Sequence, residues 1–293
     1  MSSKSFVIVF LVCLFTQPCS NYAQMNDTST FSQLFGHRGS RGILPENTIE
    51  GFKKAIELGV NGIEWDVVVS KDGKLIISHE PYIHSDYCLD TNGNEITAAE
   101  GKKRNLYHMT ADEIARYDCG SKPYPKFPKQ EHSKMHKPTV QEAFKQLDLS
   151  KTTVLFEVKS VPSEYGIYQP FPDEFAKIIA NEINGFEHKN NIIFMSFDAQ
   201  LLESLHKILP NYRYVYLTYK PFISVSNFLN DLSFKPFALG MYYRTIRKRD
   251  VKLAHEKGVN VFSWTVNDQK AFNRMVNHGV DGIITDYPNK EFI

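Results

Sequence analysis

Short apolar segments alternate with amphipathic segments along most of the chain. Apolar residues recur at helical spacing between many of the apolar runs, and strands that alternate with helices indicate βα units and a parallel sheet. The predicted strands are Leu34–His37, Gly62–Val68, Leu75–His79, Thr153–Lys159, Ile192–Ser196, Tyr214–Leu217, Phe237–Met241, Val259–Thr265 and Gly282–Thr285. The predicted helices are Thr48–Leu58, Thr139–Leu147, Asp173–Ile183, Ala199–Leu209, Lys248–Lys257 and Gln269–His278.

This alternation, in a chain of 293 residues, predicts an α/β fold of the closed (β/α)8 type, a TIM barrel. The nine candidate strands are one more than this barrel needs, so one of them is accessory or misassigned, and Phe237–Met241 is the weakest. A doubly wound open sheet is the alternative fold. It is disfavoured because the chain contains neither a GxGxxG nor a Walker phosphate-binding sequence.

The segment after the second predicted strand departs from the βα pattern. Lys71-Asp72-Gly73 is a turn signal that leaves no room for a helix before Leu75, so the chain returns as an extended strand. Residues 80–138 follow, with little apolar periodicity apart from a predicted short helix within Thr110–Tyr117. A stretch of this length between barrel elements indicates a functional insertion or lid after the third strand.

The N-terminal residues have the pattern of an export signal. Lys4 precedes the apolar run Phe6–Phe15, which is too short to span a bilayer as a mature helix. We predict a signal peptide over residues 1–23, cleaved after Ala23, with a lipid-modified Cys19 as the alternative. A disordered segment over 24–32 and a barrel domain over 33–293 follow, with no membrane span. The mature protein is expected in the periplasm or secreted.

Charge and cysteine content narrow the expected partners. The chain has 34 lysines and arginines against 33 acidic residues, a formal net charge of +1, so nothing favours nucleic acid or an acidic membrane surface. Cys88 and Cys119 remain after export. They either pair, which an oxidising compartment permits, or stay free thiols.

Acidic residues lie at the carboxyl ends of two predicted strands, where a βα barrel places its active site. Glu64 and Asp66 are two apart, so both side chains point to one face, and Glu157 ends another strand. Three carboxylates at one mouth suit Mg²⁺ or Ca²⁺ rather than zinc. The alternative is a structural barrel rim in which Arg38 or Lys159 neutralises the acids.

Histidines and basic residues also lie at the ends of predicted strands. His37 and His79 end two different strands, and beside a carboxylate cluster they suit acid–base catalysis, although each alone is more typical of a structural histidine. Arg38 and Lys159 can neutralise an anion. This combination favours a phosphoester as the substrate. A serine hydrolase is disfavoured because no GxSxG sequence occurs.

Several short motifs along the chain resemble those of the glycerophosphodiester phosphodiesterase family, in the family's order from about residue 33 to 289. The motifs are His37-Arg38-Gly39, Pro45-Glu46-Asn47-Thr48, Glu64-x-Asp66, Lys71-Asp72-Gly73 leading to His79, Glu157-x-Lys159, Trp264-Thr265-Val266-Asn267 and Gly282-Ile283-Ile284-Thr285-Asp286. The resemblance implies a barrel with an insertion after the third strand and hydrolysis of a small glycerophosphodiester to glycerol 3-phosphate and an alcohol.

The resemblance also implies site roles. Glu64, Asp66 and Glu157 would hold one divalent cation, Mg²⁺ or Ca²⁺, while Arg38 and Lys159 would contact the phosphoryl oxygens. One of His37 and His79 would act as base and the other as acid. Trp264 would line the glycerol or head-group pocket, the alternative being a barrel-core aromatic.

Three further residues have open roles. Asn47, the expected N-cap of the first helix, either also orients the His37 loop or only caps, and Glu46 is either a partner of Arg38 or a ligand. Glu80 stands where the family usually has Asp, which affects the orientation of the preceding histidine. The alternative functions are a phospholipase similar to sphingomyelinase D, and a degenerate barrel that binds a phosphoester without turnover.

Overall fold

The computed structural model describes residues 32–219 and 224–289. The predicted signal peptide, Cys19 and residues 24–31 of the predicted disordered segment lie outside the described residues. The strands are β1 Gln33–Gly36, β2 Gly62–Val69, β3 Leu75–Ile77, β4 Thr153–Val158, β5 Ile192–Ser196, β6 Arg213–Thr218, β7 Ala238–Tyr242, β8 Asn260–Trp264 and β9 Gly282–Thr285. The helices are α1 Ile49–Glu57, α2 Ala98–Lys103, α3 Ala111–Ile114, α4 Val140–Gln146, α5 Pro172–Ile183, α6 Ala199–Ile208, α7 Val225–Leu229, α8 Lys248–Glu256 and α9 Gln269–His278.

Eight parallel strands close into a barrel in the order β1, β2, β4, β5, β6, β7, β8, β9 and back to β1. The predicted TIM barrel is therefore confirmed. The accessory strand is β3, which pairs antiparallel with the end of β2. The strand that the sequence marked as weakest is a full barrel strand, β7, between β6 and β8. The insertion thus follows the third strand of the chain but lies between the second and third strands of the barrel.

The first helix begins one residue later than the sequence indicated. Thr48 is its N-cap, with Oγ1 accepting a hydrogen bond from the Gly51 amide at 3.1 Å. The prediction of Asn47 as N-cap is wrong, because its backbone has φ of 56° and its side chain instead reaches Asp66. The predicted helix within Thr110–Tyr117 is the short α3, capped by Thr110 and Glu113.

Alternation along the barrel strands separates two apolar layers. The outer layer lies between the strands and the helices and includes Phe52 of α1 and Trp65 of β2. The other face fills the barrel interior with residues such as Phe35 of β1 and Leu155 of β4. Because the side-chain period of a strand is two, the interior register continues beyond this layer to the residues at the carboxyl ends. The candidate site is built on that continuation.

The insertion has a small core of its own. Ile83, Tyr87 and Ile114 are buried with Ile76 of β3, so the accessory strand carries the insertion. Cys88 and Cys119 form a disulfide within this cluster, which settles the alternative that the sequence left open. Among the helices described, none has the length and apolar character needed to cross a membrane.

Candidate active site

Three buried carboxylates meet at the mouth of the barrel. Glu64 and Asp66 lie on β2, and Glu157 lies opposite Asp66 on β4. One oxygen from each lies within 4.8 Å of the others. Burial and the negative charges of Asp66 and Glu157 raise the pKa of Glu64 well above its ordinary value.

The carboxylate oxygens of the acid cluster suit a divalent cation. Glu64 Oε1 is buried and accepts no hydrogen bond in the part of the chain that the structure describes. Glu64 also pairs with no lysine or arginine side chain of that part, its closest basic group being His37 Nε2 at 3.9 Å. All-oxygen donors crowded in this way fit a hard cation such as Mg²⁺ or Ca²⁺.

Two basic side chains neutralise the rest of the cluster. Lys159 Nζ lies 2.6 Å from Glu157 Oε1 and 3.6 Å from Asp66 Oδ1. Arg38 Nε lies 3.2 Å from Asp66 Oδ2. Burial would raise the pKa of Asp66, but Arg38 and the neighbouring positive charges lower it well below its ordinary value. The alternative of a structural barrel rim therefore fits Asp66 and Glu157 in part, because basic side chains neutralise them. It does not fit Glu64.

Arg38 is fixed in place by its loop and by Glu46. Its backbone amide donates to Glu64 Oε2 at 2.7 Å, and its φ of 50° turns the chain sharply after β1. Its Nη1 donates to Glu46 Oε1 at 2.7 Å, and Arg41 Nε lies 2.5 Å from Glu46 Oε2. Of the two roles considered for Glu46, the structure therefore fits a partner of Arg38. Asn47 Nδ2 donates to Asp66 Oδ2 at 2.8 Å and so helps to orient that acid.

His37 continues the interior register of β1 and faces the acids. Its Nδ1 lies 2.6 Å from Asp286 Oδ1, and Asn267 Nδ2 donates to the other oxygen of Asp286 at 2.6 Å. Burial lowers the pKa of His37 despite the nearby carboxylate. One ring nitrogen of His37 is therefore held by Asp286, and the other is directed towards Glu64.

His79 lies beyond β3 and is held by the insertion. Its Nδ1 lies 2.8 Å from Glu80 Oε1, and the Tyr87 hydroxyl donates to Glu80 Oε2 at 2.6 Å. Burial and the positive charges of Arg38 and Lys159 lower the pKa of His79. Glu80 therefore pairs with its histidine even though the family usually has Asp there.

Trp264 ends β8 on the interior register, after Phe262. Its ring packs edge-on against Phe197, with 5.5 Å between the ring centres, and also contacts Tyr242 at 5.5 Å. The side chain is half-buried at the upper edge of the interior layer. This places Trp264 at the mouth of the barrel, above the interior core.

Sequence reasoning missed several residues that organise the histidines. Asp286 ends the motif that begins at Gly282, but no role was predicted for it. It lies two residues after the interior residue Ile284, as Glu157 lies two residues after Leu155, so the strand register marks both as facing the site. Tyr87 and Lys137 lie in the insertion, where no periodicity points to them. Lys137 Nζ donates to Ser78 Oγ at 2.9 Å, next to His79.

The barrel and the cluster of acids, basic residues and carboxylate-held histidines at its mouth define a phosphodiesterase of the TIM-barrel class. A model of the glycerophosphoryl diester phosphodiesterase family matches residues 37–290. A glycerophosphodiester phosphodiesterase from Caldanaerobacter subterraneus subsp. tengcongensis is 32% identical over 255 residues, 87% of this chain and 94% of that protein. The chain belongs to this family, which confirms the predicted family and enzyme class.

Solved structures agree with this assignment. A protein from Silicibacter pomeroyi superposes with a TM-score of 0.78 at 28% identity, covering 88% of this chain and 90% of that one. A glycerophosphodiester phosphodiesterase from Thermotoga maritima gives a TM-score of 0.63 at 26% identity, covering 88% and 96%. The similarity extends over nearly the whole length of both proteins.

Proposed function

We propose that the chain hydrolyses glycerophosphodiesters to sn-glycerol 3-phosphate and an alcohol, using one divalent cation and two histidines. The observation that carries the proposal is the buried set Glu64, Asp66 and Glu157, with one oxygen of each within 4.8 Å of the others. His37 and His79 flank the set, each with one ring nitrogen on a carboxylate. A degenerate barrel that only binds its ligand is disfavoured, because all five groups are present and each histidine has a carboxylate partner.

The charged groups have separate tasks in this proposal. A Mg²⁺ or Ca²⁺ ion bound by the three carboxylates would supply positive charge against the charge that develops on the phosphoryl group. Arg38, anchored by Glu46, would bind a phosphoryl oxygen and orient the diester. Lys159 contacts Glu157 and Asp66 and can turn to a second phosphoryl oxygen, since its side chain is 20% exposed.

The histidines move the protons. One imidazole accepts the proton of the nucleophile, which is water or the neighbouring glycerol hydroxyl, and the other donates a proton to the departing alkoxide. Asp286 and Glu80 fix the two rings and stabilise whichever becomes the imidazolium. Changing the leaving group assigns the roles. A histidine that serves as acid becomes dispensable when the alcohol is replaced by p-nitrophenol, which leaves without protonation.

The proposal is tested with a panel of glycerophosphodiesters in Mg²⁺, in Ca²⁺ and in chelator, following released glycerol 3-phosphate. We expect turnover with a divalent cation and loss of at least about a hundredfold in chelator or in Glu64→Gln. His37→Ala and His79→Ala should each lose about a hundredfold or more on natural diesters. Full activity in chelator would contradict the metal site, and full activity of either histidine variant would contradict the proton-transfer scheme.

We also propose that the protein is exported, to the periplasm or outside the cell. Lys4 followed by the apolar run Phe6–Phe15 supports this, and so does the Cys88–Cys119 disulfide, since such bonds persist mainly in oxidising compartments. N-terminal sequencing of the mature protein should find Gln24 as the first residue. A lipid-labelled N-terminus at Cys19 would favour the anchored alternative, and an intact Met1 in the cytoplasmic fraction would contradict export.

A further inference from the structure

Lys137 is a buried lysine of the insertion that has no task in the proposed reaction. Its side chain is 5% exposed, and it forms no salt bridge with any carboxylate in the described part of the chain. The backbone fixes its place, because Pro138, the next residue, accepts a hydrogen bond from the Ile77 amide at 2.8 Å. A buried ammonium without a carboxylate partner destabilises a fold, so this lysine points to a role in the site rather than in stability.

Lys137 contacts the hydroxyl groups of two residues near His79. Its Nζ donates a hydrogen bond to Ser78 Oγ at 2.9 Å and makes a longer contact, 3.4 Å, with the hydroxyl oxygen of Tyr87. Ser78 Oγ in turn donates to the carbonyl oxygen of Glu80 at 2.6 Å, and the Tyr87 hydroxyl donates to Glu80 Oε2 at 2.6 Å. Both hydroxyls therefore connect Lys137 to Glu80, the residue that holds His79.

The ammonium determines the direction of both hydrogen bonds. It has three N–H donors and no acceptor, so a hydroxyl that faces it must turn its oxygen towards the nitrogen. The hydroxyl protons of Ser78 and Tyr87 are then directed away from Lys137, and each reaches an oxygen of Glu80. Burial lowers the pKa of Lys137, but the carboxylates of Glu80 and Glu46 oppose this shift and favour the charged form. Burial and the charge of Glu80 raise the pKa of Tyr87 well above its ordinary value, so its hydroxyl keeps the proton that it donates.

We propose that Lys137 is a positioning residue for His79, and that it acts by orienting the two hydroxyls that hold Glu80. The inference rests on the proposed function, in which His79 transfers a proton. Without the ammonium, both hydroxyls are free to rotate, and Glu80 is held at fewer points. The His79 ring, whose Nδ1 lies 2.8 Å from Glu80 Oε1, would then be aligned for proton transfer in a smaller fraction of the molecules.

A purely structural role is the alternative, in which Lys137 only joins the insertion to β3. The two roles predict different effects on stability. Replacing a structural lysine would lower stability and turnover together, whereas replacing a positioning lysine removes a buried charge and disturbs only the alignment of His79. Met is similar in length to Lys and has no donor. Lys137→Met should therefore leave Tm unchanged or raise it while kcat falls.

The experiment uses the full chain with its divalent cation and the glycerophosphodiester that it hydrolyses fastest. For Lys137→Met we expect kcat to fall about tenfold at nearly constant KM, because the lysine is buried and acts through Glu80. Lys137→Gln should behave in the same way, because an amide both donates and accepts and so does not fix the direction of the hydroxyls. Lys122→Met is the matched control. Lys122 lies in the same insertion, donates to the Ser85 carbonyl oxygen at 2.8 Å, and should be dispensable for kcat.

Combining Lys137→Met with His79→Ala distinguishes positioning from support of the fold. The His79→Ala background has no imidazole to align, so adding Lys137→Met should change its residual kcat by less than about twofold. The imidazole NMR signals of His79, identified by their absence from His79→Ala, provide a readout that does not depend on turnover. They should shift in Lys137→Met and stay in place in Lys122→Met.

The outcomes separate this inference from the function on which it rests. If His79→Ala loses activity but Lys137→Met keeps full kcat, or lowers kcat by the same factor in both backgrounds, the positioning role is wrong and the proposed function stands. Unfolding or a marked fall in Tm of both Lys137 variants would assign the lysine to the fold and overturn the inference. Full activity of His79→Ala would contradict the proposed function and the inference together.

Discussion

Replacing Glu64 by Gln should stabilise the metal-free protein while removing its response to divalent cations. Glu64 lies within 4.8 Å of two other buried acids and has no lysine or arginine partner among the described residues. Gln keeps the shape and can still accept the Arg38 amide that now bonds to Glu64 Oε2. The substitution therefore removes a repelled charge and leaves the loop contact in place.

The magnitude follows from the separation of the acids. Two unit charges repel by about 3.5 kcal/mol at 4.8 Å and an effective dielectric constant of about 20. Proton uptake by Glu64, whose pKa is raised by burial and by the neighbouring acids, relieves part of this repulsion, so we expect the substitution to gain about 1–2 kcal/mol. For a domain of this size, the expected rise in Tm is roughly 2–8 °C.

With a bound cation, the wild type should become more stable than Glu64→Gln. At a cation concentration of about 100 Kd, the wild type gains about 2.7 kcal/mol, which raises Tm by roughly 5–10 °C. Glu64→Gln lacks one ligand and should gain little. Thermal unfolding followed by circular dichroism, in chelator and then with Mg²⁺ or Ca²⁺, measures both proteins.

Glu46→Gln is the matched control, because Glu46 is equally buried but lies between two arginines. Breaking that arrangement should cost about 3–5 kcal/mol with or without the cation.

The pH adds a second check. Since folding raises the pKa of Glu64, the destabilisation caused by burying its negative charge is absent below its unfolded pKa of about 4.3. This destabilisation grows as the pH rises. The advantage of Glu64→Gln in chelator should therefore shrink towards pH 4. A variant that melts below wild type in chelator and shifts equally with cation would refute the reasoning.

Two further substitutions test how the histidines are held. Asp286→Asn removes the charge that holds His37, and kcat on natural diesters should fall on the order of a hundred- to ten-thousandfold with little change in Tm. A loss below threefold would show that the pairing of His37 with Asp286 is not needed for turnover. Tyr87→Phe removes the hydroxyl that donates to Glu80, the partner of His79, and should lower kcat about tenfold at nearly constant KM; a change confined to KM would contradict a positioning role.

The strands and helices were predictable because their apolar periodicity is local. The accessory strand was not, because Leu75–Ile77 and Ala238–Tyr242 are both short apolar runs and only long-range pairing decides which one joins the barrel. The apparent weakness of β7 comes from Gly240, a poor strand former. A Cβ at that position would lie 2.4 Å from Leu217 Cδ2, so any larger residue would force Leu217 of β6 to move.

The candidate site was predictable to the extent that strand register defines it. Glu64, Asp66 and Glu157 converge because interior-facing positions on neighbouring parallel strands meet at the carboxyl end, and the same rule would have found Asp286. Asn47 was misassigned because an asparagine before a helix serves equally well as a cap or as a side-chain donor. The presence of Asp66 within its reach decides between these uses, and that proximity exists only in the folded chain.

The two histidines depend on different parts of the molecule. His37 is held by Asp286, the residue that follows β9, so its alignment forms whenever the barrel closes. His79 is held by Glu80 and Tyr87, and Tyr87 precedes Cys88 of the insertion's disulfide. The barrel alone can therefore assemble the acid cluster and one imidazole, but the second imidazole requires a folded insertion. Sequence changes in the insertion are thus able to alter turnover without disturbing the carboxylates, because no residue of the insertion belongs to the acid cluster.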